Sequence, residues 1–161
     1  MTREQFIFQV EQCQGALRRF LVALCCGDAM LADDIAQETF IKAYLAIDTL
    51  GDESRFDAWV YRIAYNTFVS ARRSRHATDD YDAAGNEAAA DSADSAFRYQ
   101  ELYEALNRVT EGERTVILLH YMEGYSIREI ADIVASTADA VKQKLYRGRV
   151  HLKALIGDDL P

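Results

Sequence analysis

The chain has 161 residues, half of them hydrophobic, with eight glycines, one proline and a formal net charge of −8. This composition favours helices over a turn-rich β architecture and supplies enough apolar residues for a packed core. Its apolar runs fall short of the roughly 20 residues that a membrane-spanning helix needs. Residues 1–5 also lack the basic-then-apolar layout of a secretion signal, so we expect a cytoplasmic protein without membrane insertion.

The negative charge is concentrated in one segment. Residues 77–97 hold six acidic and no basic side chains, whereas residues 1–76 and residues 98–161 each hold nine basic and ten acidic ones. Like charges extend such a segment, and its Ala, Asp and Ser residues offer little apolar surface to bury. We therefore predict an all-α chain of two small helical domains, 1–76 and 98–161, joined by a flexible acidic linker, 77–97. An ordinary surface loop within one domain is the alternative for this segment.

Apolar residues recur at helical spacing in the first domain. The inward positions of its first predicted helix are Leu17, Phe20, Leu21 and Leu24. Gly27-Asp28 interrupts the pattern, and a second helix follows. The predicted inward positions of this second helix are Ile35, Phe40, Ile41, Tyr44 and Leu45. Ser54, with Asp57 three residues later, is typical of a helix start and begins a third.

An acidic and amide cluster lies on the second predicted helix. Asp34, Gln37 and Glu38 share one helix face, and Asp33 adjoins it. Such a face suits contact with basic side chains on a partner protein, although a solvated acidic face would have the same sequence.

The third predicted helix mixes aromatic and basic side chains. Aromatic rings stack on unpaired bases, and arginines bind the phosphate backbone, so this combination suits single-stranded DNA. Residues 55–76 carry five arginines against a single acid, which gives a local excess of positive charge. The candidate DNA contacts on this helix are Trp59, Arg62, Tyr65, Asn66, Arg72, Arg73 and Arg75. For Phe56 and Trp59 we also expect packing in the core.

The second domain contains a predicted helix-turn-helix. Its helix starts are Thr110 with Glu113, Ser126 with Glu129, and Ser136 with Asp139. Gly124 marks a break, and residues 135–137 form the turn. In the last helix the apolar arc consists of Val141, Leu145, Gly148, Leu152 and Leu155.

The outward face of that last helix is basic. Its residues are Lys142, Gln143, Lys144, Tyr146, Arg147 and Arg149. Arginine and glutamine can contact base edges in the major groove of duplex DNA, while lysines contact phosphates. A plain amphipathic helix with a solvated basic face is the alternative.

Taken in order, these elements resemble the bacterial sigma factors of the extracytoplasmic-function group. Residues 32–40 match the region 2 pattern A-x-D-x-x-Q-E-x-F, and residues 59–66 follow W-L-Y-R-I-A-x-N with one change. Residues 126–131 and 140–149 are similar to the region 4 patterns S-x-x-E-I-A and T-V-K-S-R-L-x-R-A-R. The departures include Ala135 in a turn where glycine is usual, and Ala140, Gln143 and Lys144 in place of Thr, Ser and Arg.

The resemblance implies an alternative sigma factor that binds core RNA polymerase and directs promoter-specific transcription initiation. Region 2 would dock on the clamp coiled coil of the β′ subunit through Asp33, Asp34, Gln37 and Glu38. It would also recognise and melt the −10 element, with Ser54 and Arg55 in a loop that takes up a flipped base. Region 4 would bind the −35 element through Arg128 and the outward face of the last helix, and would contact the β flap.

The resemblance further implies an anti-sigma partner and an association with the nucleoid when the protein is in holoenzyme. No cofactor, metal or catalysis is expected. The histidines His76, His120 and His151 are scattered, without a nucleophile or carboxylate grouped beside them. The cysteines Cys13, Cys25 and Cys26 lie in apolar helical stretches and are expected to be buried.

Two other functions are compatible with parts of the chain. One is a helix-turn-helix transcription regulator that binds duplex DNA without polymerase, which would leave the aromatic and basic helix without a role. The other is an interaction protein that kept the fold and lost DNA binding, which the overall acidity mildly favours.

Overall fold

In the computed structural model of the chain, the structure describes residues 1–77 and 93–157, with side chains described for 1–75 and 100–157. Every regular element in these ranges is helical, which confirms the predicted all-α class. The helices are α1 (Arg3–Leu24), α2 (Ala29–Leu45), α3 (Phe56–Ala77), α4 (Ala93–Arg108), α5 (Glu111–Ile117), α6 (Ile127–Ile133) and α7 (Ala138–Ile156). Two single 3₁₀ turns, Ile47–Thr49 and Glu53–Arg55, connect α2 to α3, and a π-helical turn, Leu118–Met122, continues α5.

The predicted linker, 77–97, lies mostly outside the described residues. Helix α4 begins inside it, at Ala93, five residues before the predicted start of the second domain at residue 98. Alanine has the highest helix propensity, and acidic residues are favourable near a helix N-terminus, which suits this earlier start. The division into 1–76, 77–97 and 98–161 otherwise stays a prediction.

Helices α1, α2 and α3 form the first lobe, and its core contains the predicted residues of α1. Leu17, Phe20, Leu21 and Leu24 are fully buried, and burying a Leu or Phe side chain contributes about 1.5–3 kcal/mol. At the other end of α1, Phe6 packs edge-on against Phe56, with 5.8 Å between ring centroids.

The predicted inward face of α2 is wrong at three positions. Ile35 is buried, but Ile41, Tyr44 and Leu45 are 61%, 47% and 78% exposed, and Phe40 is half-buried. The buried row of α2 consists instead of Ala32, Ile35, Thr39 and Ala43. Three of these four side chains are small, which lets α2 approach its neighbours closely, and the Thr39 hydroxyl is satisfied by donating to the Ile35 carbonyl at 2.7 Å. Hydrophobicity alone favoured the larger residues, whereas packing selects the smaller ones.

Two of the four predicted helix starts are confirmed. Thr110 and Glu113 form a capping box at α5, and Ser126 and Glu129 form one at α6, each hydroxyl accepting from a backbone N–H at 3.2 Å. In both boxes the glutamate also accepts from the backbone N–H of the cap residue, which satisfies two otherwise unpaired donors.

The predicted starts at Ser54 and Ser136 are wrong. Helix α7 is capped one residue later, where the Thr137 hydroxyl accepts from the backbone N–H of Ala140 at 3.1 Å. At residue 54 the serine is itself held by Asp52, whose carboxylate accepts from the Ser54 N–H at 3.0 Å and from its hydroxyl at 2.6 Å. Asp52 thereby forms a 3₁₀ turn before α3, which begins at Phe56.

Helices α4 to α7 form the second lobe, in which α6 and α7 adopt the predicted helix-turn-helix. Val141, Leu145, Gly148 and Leu152 are buried, but Leu155, in the last turn of α7, is 41% exposed, contrary to the prediction. Gly148 permits a close approach of α5, because a Cβ there would lie 2.4 Å from the Ile117 Cδ1.

The two lobes contact each other directly. α3 packs against α6, and α1 packs against α4 and the π-helical turn. The central contact is Arg114, which is 6% exposed. Its Nη1 donates to the Leu24 carbonyl at 2.9 Å and its Nε to the Leu106 carbonyl at 2.8 Å. Leu24 is the last residue of α1, so Arg114 satisfies a free carbonyl at that helix's negative end.

The turn between α6 and α7 contains a strained residue. Ala135 has φ of +54°, a left-handed conformation that costs a residue with a Cβ about 1–2 kcal/mol. We expect Ala135→Gly to raise the free energy of unfolding by about 0.5–1 kcal/mol after the greater entropy of the unfolded glycine chain is subtracted. Urea denaturation followed by circular dichroism measures this change. Ala154→Gly, on the exposed face of α7, is the control and should lower stability by up to about 1 kcal/mol. An equal loss of unfolding free energy in both variants would contradict the inference that Ala135 is strained.

Candidate nucleic-acid and protein interfaces

The acidic cluster of α2 forms an exposed surface. Asp34, Gln37 and Glu38 are exposed on one face of the helix, and Glu38 lies 3.4 Å from the Lys42 ammonium. Asp33 is set apart from them, because its carboxylate accepts from Arg18 of α1 at 2.8 Å. Of the four predicted polymerase contacts, the structure thus groups three and pairs the fourth with a residue of its own lobe.

Exposed apolar side chains flank this acidic cluster. Ile41 and Leu45 follow Glu38 at helical spacing, and Met30 precedes Asp34 by one turn and is 79% exposed. The sequence analysis placed Ile41 and Leu45 in the core and left Met30 unassigned. The three residues lie on the same helical row as Asp34, and this spacing was the sequence signal that could have indicated their exposure. The face therefore combines an acidic centre with apolar ends.

The predicted −10 contacts differ in how freely they face solvent. Arg62, Asn66 and Arg73 are exposed on α3, and Trp59 and Tyr65 are half-buried. Arg72 lies 2.8 Å from Glu111 of the second lobe, and Arg75 lies 3.6 Å from Asp28. Phe56, as expected, is in the core.

The turn before α3 holds Ser54 and Arg55. Arg55 is exposed, with a side chain 75% accessible and 3.9 Å from Asp52. The Ser54 hydroxyl and the Ser54 N–H both donate to the Asp52 carboxylate. These two hydrogen bonds lower the pKa of the Asp52 carboxyl. The turn is therefore ordered by hydrogen bonds between its own residues.

The outward face of α7 is exposed along most of its length. Lys142, Gln143, Tyr146, Arg147 and Arg149 are all exposed, as is Arg128 on α6. Lys144 is half-buried, because its side chain lies over Gly112 of α5. Arg149 donates from Nη1 to the Tyr121 hydroxyl at 2.9 Å. All the predicted −35 contacts except Lys144 are thus exposed side chains of the second lobe.

Comparison with known proteins agrees with this arrangement. Residues 9–78 match the family model described as Sigma-70 region 2, and residues 99–152 match Sigma-70, region 4. The ECF RNA polymerase sigma factor SigW of Bacillus subtilis is 31% identical over 149 residues, covering 82% of this chain and 79% of that protein. The chain belongs to the ECF family of RNA polymerase sigma factors. The prediction of an alternative sigma factor that directs transcription initiation is thereby confirmed.

Two solved structures resemble the whole sigma factor. One is the sigma factor RpoE in complex with the anti-sigma factor NepR from Bartonella quintana, with a TM-score of 0.81, 26% identity, and coverage of 98% of this chain and 99% of that one. The other is CnrH in complex with the cytosolic domain of CnrY, with a TM-score of 0.74, 25% identity, and coverage of 99% and 92%.

The sigma factor contains a second set of contacts between lobes that sequence analysis missed. The Tyr61 hydroxyl of α3 donates to Glu123 at 2.8 Å, and the Tyr61 ring packs edge-on against Tyr125 with centroids 5.5 Å apart. Burial raises the pKa of Tyr61, and it also raises the pKa of Glu123 despite the Tyr61 bond and the nearby Arg19. These residues are 62 positions apart, and no local pattern links them.

The three cysteines of the sigma factor are free thiols that are buried or partly buried. Cys13 and Cys26 are buried and Cys25 is partly buried. Burial raises the pKa of Cys13 to about 11 and that of Cys25 to about 12, which keeps both protonated near neutral pH. Within the described ranges, no group of three or more His, Cys, Asp or Glu side chains could hold a metal ion. Nor does any helix of these ranges have the length and apolar character to cross a membrane.

Glu123 makes the stability of the sigma factor depend on pH. Because its pKa is raised on folding, the folded state binds the proton more tightly, and stability falls as pH rises above the ordinary carboxyl pKa. Glu123→Gln keeps an oxygen that accepts from Tyr61 and cannot ionise. We expect it to stabilise the protein by less than about 1 kcal/mol at pH 7, since solvent screens this half-buried group. In urea titrations the difference should shrink toward pH 4.

Glu104→Gln is the matched control for this change, because Glu104 is exposed and accepts a hydrogen bond from Gln100 within α4. It should leave the pH dependence as it is in the native protein. If Glu123→Gln is less stable than the native protein at pH 7, or if the difference in stability grows in acid, the raised pKa of Glu123 is contradicted.

Proposed function

We propose that this sigma factor binds core RNA polymerase through the exposed face of α2 and binds promoter DNA through α3 and α7. The observation that carries the proposal is the presence of three chemically different exposed surfaces on one chain: acidic with apolar ends on α2, aromatic and basic on α3, basic on α7. It would act in the cytoplasm, with nucleoid-associated polymerase, and would have no catalytic activity of its own.

The α2 face would dock on the clamp coiled coil of the β′ subunit. Asp34, Gln37 and Glu38 supply charge and hydrogen bonds for basic partner residues, and the exposed Ile41 and Leu45 supply apolar area. Interface energy concentrates in a few such central residues. Asp33, which is paired with Arg18, would support the face rather than contribute most of the binding energy.

The α3 surface would bind the melted −10 element. Half-buried Trp59 and Tyr65 can offer ring faces to unpaired bases, and exposed Arg62 and Arg73 can bind the backbone. The ordered turn at Ser54 and Arg55 would receive the flipped base. To bind that base, the Ser54 hydroxyl would either give up its hydrogen bond to Asp52 and donate to the base, or keep that bond and accept from the base through a lone pair.

The α7 surface would enter the major groove of the −35 element. Its exposed Gln143 and Arg147 can make bidentate contacts to base edges, and Lys142 can bind phosphate. The second lobe would also contact the β flap. An anti-sigma protein is the expected regulator, since a solved relative that matches along nearly its whole length is a sigma factor bound to NepR.

The docking surface is tested with Gln37→Ala and Glu38→Ala combined. We expect the affinity for purified core polymerase to fall by about tenfold or more, as for loss of central interface residues. Fluorescence anisotropy of labelled sigma factor measures this. Glu11→Ala with Gln12→Ala, an exposed Glu–Gln pair on α1, is the matched control and should bind as the native protein does. Equal binding by both double variants would remove α2 from the docking surface.

The −35 surface is tested in holoenzyme on a promoter first identified by run-off transcription from genomic fragments. Gln143→Ala should relax discrimination at one base pair by about 1–3 kcal/mol. Lys142→Ala should weaken binding to all sequences alike and reduce the slope of log affinity against log salt by about 1. Arg3→Ala, exposed at the start of α1, should change neither quantity. If both α7 variants resemble Arg3→Ala, α7 is not the DNA-reading helix.

A further inference from the structure

A tyrosine outside the helix-turn-helix contacts the basic face of α7. The Tyr121 hydroxyl accepts a hydrogen bond from Nη1 of Arg149 at 2.9 Å, although the two residues are 28 positions apart in the sequence. Tyr121 is 50% exposed and lies in the π-helical turn that continues α5. Arg149 is one of the candidate −35 contacts, whereas nothing in the sequence gives Tyr121 a role in DNA binding.

The π-helical turn holds this tyrosine in a defined place. Leu118 and Leu119 are buried, and the backbone N–H of Tyr125 donates to the Leu119 carbonyl at 3.0 Å. His120 Nδ1 lies 2.9 Å from the Tyr125 carbonyl, and it donates there because a carbonyl oxygen can only accept. The His120 ring packs edge-on against the Tyr121 ring, with centroids 4.9 Å apart. The core and the turn therefore fix the position of the tyrosine without help from α7.

Arg149 lies where α7 would pass the backbone of the duplex. It follows Lys142 by seven residues, so the two side chains share one row of the helix and lie about 10 Å apart along its axis. A recognition helix contacts base edges mainly with its N-terminal residues. Arg149 is in the second half of α7 and is exposed, so it is suited to a phosphate of the −35 element rather than to a base.

A phenolic hydroxyl is a suitable partner for an arginine that has to bind phosphate. It is uncharged and engages one of the five N–H donors of the guanidinium, so the positive charge and the other donors stay available. A carboxylate partner would instead neutralise the arginine, as Asp33 does for Arg18 at 2.8 Å. An arginine that is already held also loses less side-chain entropy when it binds its ligand.

We propose that Tyr121 is a positioning residue of the −35 surface. Its hydroxyl holds the Arg149 guanidinium on the exposed side of the second lobe, with the remaining N–H donors available to a DNA phosphate. This inference rests on the proposed binding of the −35 element by α7. It extends that surface to a residue outside the helix-turn-helix, which acts through Arg149 rather than by its own contact with DNA.

The test uses Tyr121→Phe in holoenzyme, which removes the hydroxyl and keeps the ring. We expect the affinity for promoter DNA to fall about threefold to tenfold, as for the loss of one hydrogen bond, and to fall alike for all −35 sequences. The slope of log affinity against log salt should stay as in the native holoenzyme, because no charge is lost. Arg149→Ala should reduce that slope by about 1. Fluorescence anisotropy of labelled promoter DNA at several salt concentrations measures both quantities.

A double-variant cycle separates positioning from a general effect on the fold. In a chain that already carries Arg149→Ala, Tyr121→Phe should cause no further loss of affinity, because its only route to DNA has been removed. A merely structural tyrosine would weaken binding equally with and without Arg149. Tyr44→Phe is the matched control, since it removes the hydroxyl of a tyrosine that is 47% exposed on α2. It should bind promoter DNA as the native protein does.

The outcomes distinguish this inference from the proposed function. Tyr121→Phe that binds like the native protein, or that loses the same affinity with and without Arg149, overturns the positioning role. If Arg149→Ala has no effect while Lys142→Ala and Gln143→Ala change binding as expected, the proposed function stands and the inference is rejected. If none of the α7 variants changes binding, the proposed function fails and the inference fails with it.

Discussion

The structure depends on the buried guanidinium of Arg114. Removing such a charge from water costs several kcal/mol unless its donors are satisfied. Here they bind backbone carbonyls at the ends of two helices, Leu24 of α1 and Leu106 of α4. Because those helices belong to different lobes, one side chain both completes the α4–α5 corner and fixes the second lobe on the first. The relative position of the lobes is thus set by a residue buried in the core of the second lobe.

Two of the remaining contacts between the lobes are polar. Arg72 with Glu111 is a partly exposed ion pair, which contributes at most about 1 kcal/mol because its members are well solvated when separated. Glu123 accepts a hydrogen bond from Tyr61, and burial raises the pKa of its carboxyl even though that bond lowers it. These polar contacts add to the packing of α3 on α6 and of α1 on α4.

Local features of this fold could be predicted from sequence, and features set by packing could not. The capping boxes at Thr110 and Ser126 need only residues three apart, and the buried stripe of α1 follows its own periodicity. The prediction of the inward face of α2 was wrong because the close approach of α2 to α1 and α3 favours its small residues over Ile41 and Leu45. The exposed candidate residues on α2 and α7 were identifiable from motif and charge. The partners Glu111 and Glu123 were not, since they lie 39 and 62 residues from the side chains they bind.

The charged side chains of the two helices differ in accessibility. The acidic face of α2 is exposed, with Glu38 57% accessible, while Arg72 of α3 is engaged by Glu111. A partner of α2 therefore meets side chains that face solvent, whereas a ligand of Arg72 would have to displace Glu111, which a partly exposed ion pair permits at a cost of at most about 1 kcal/mol.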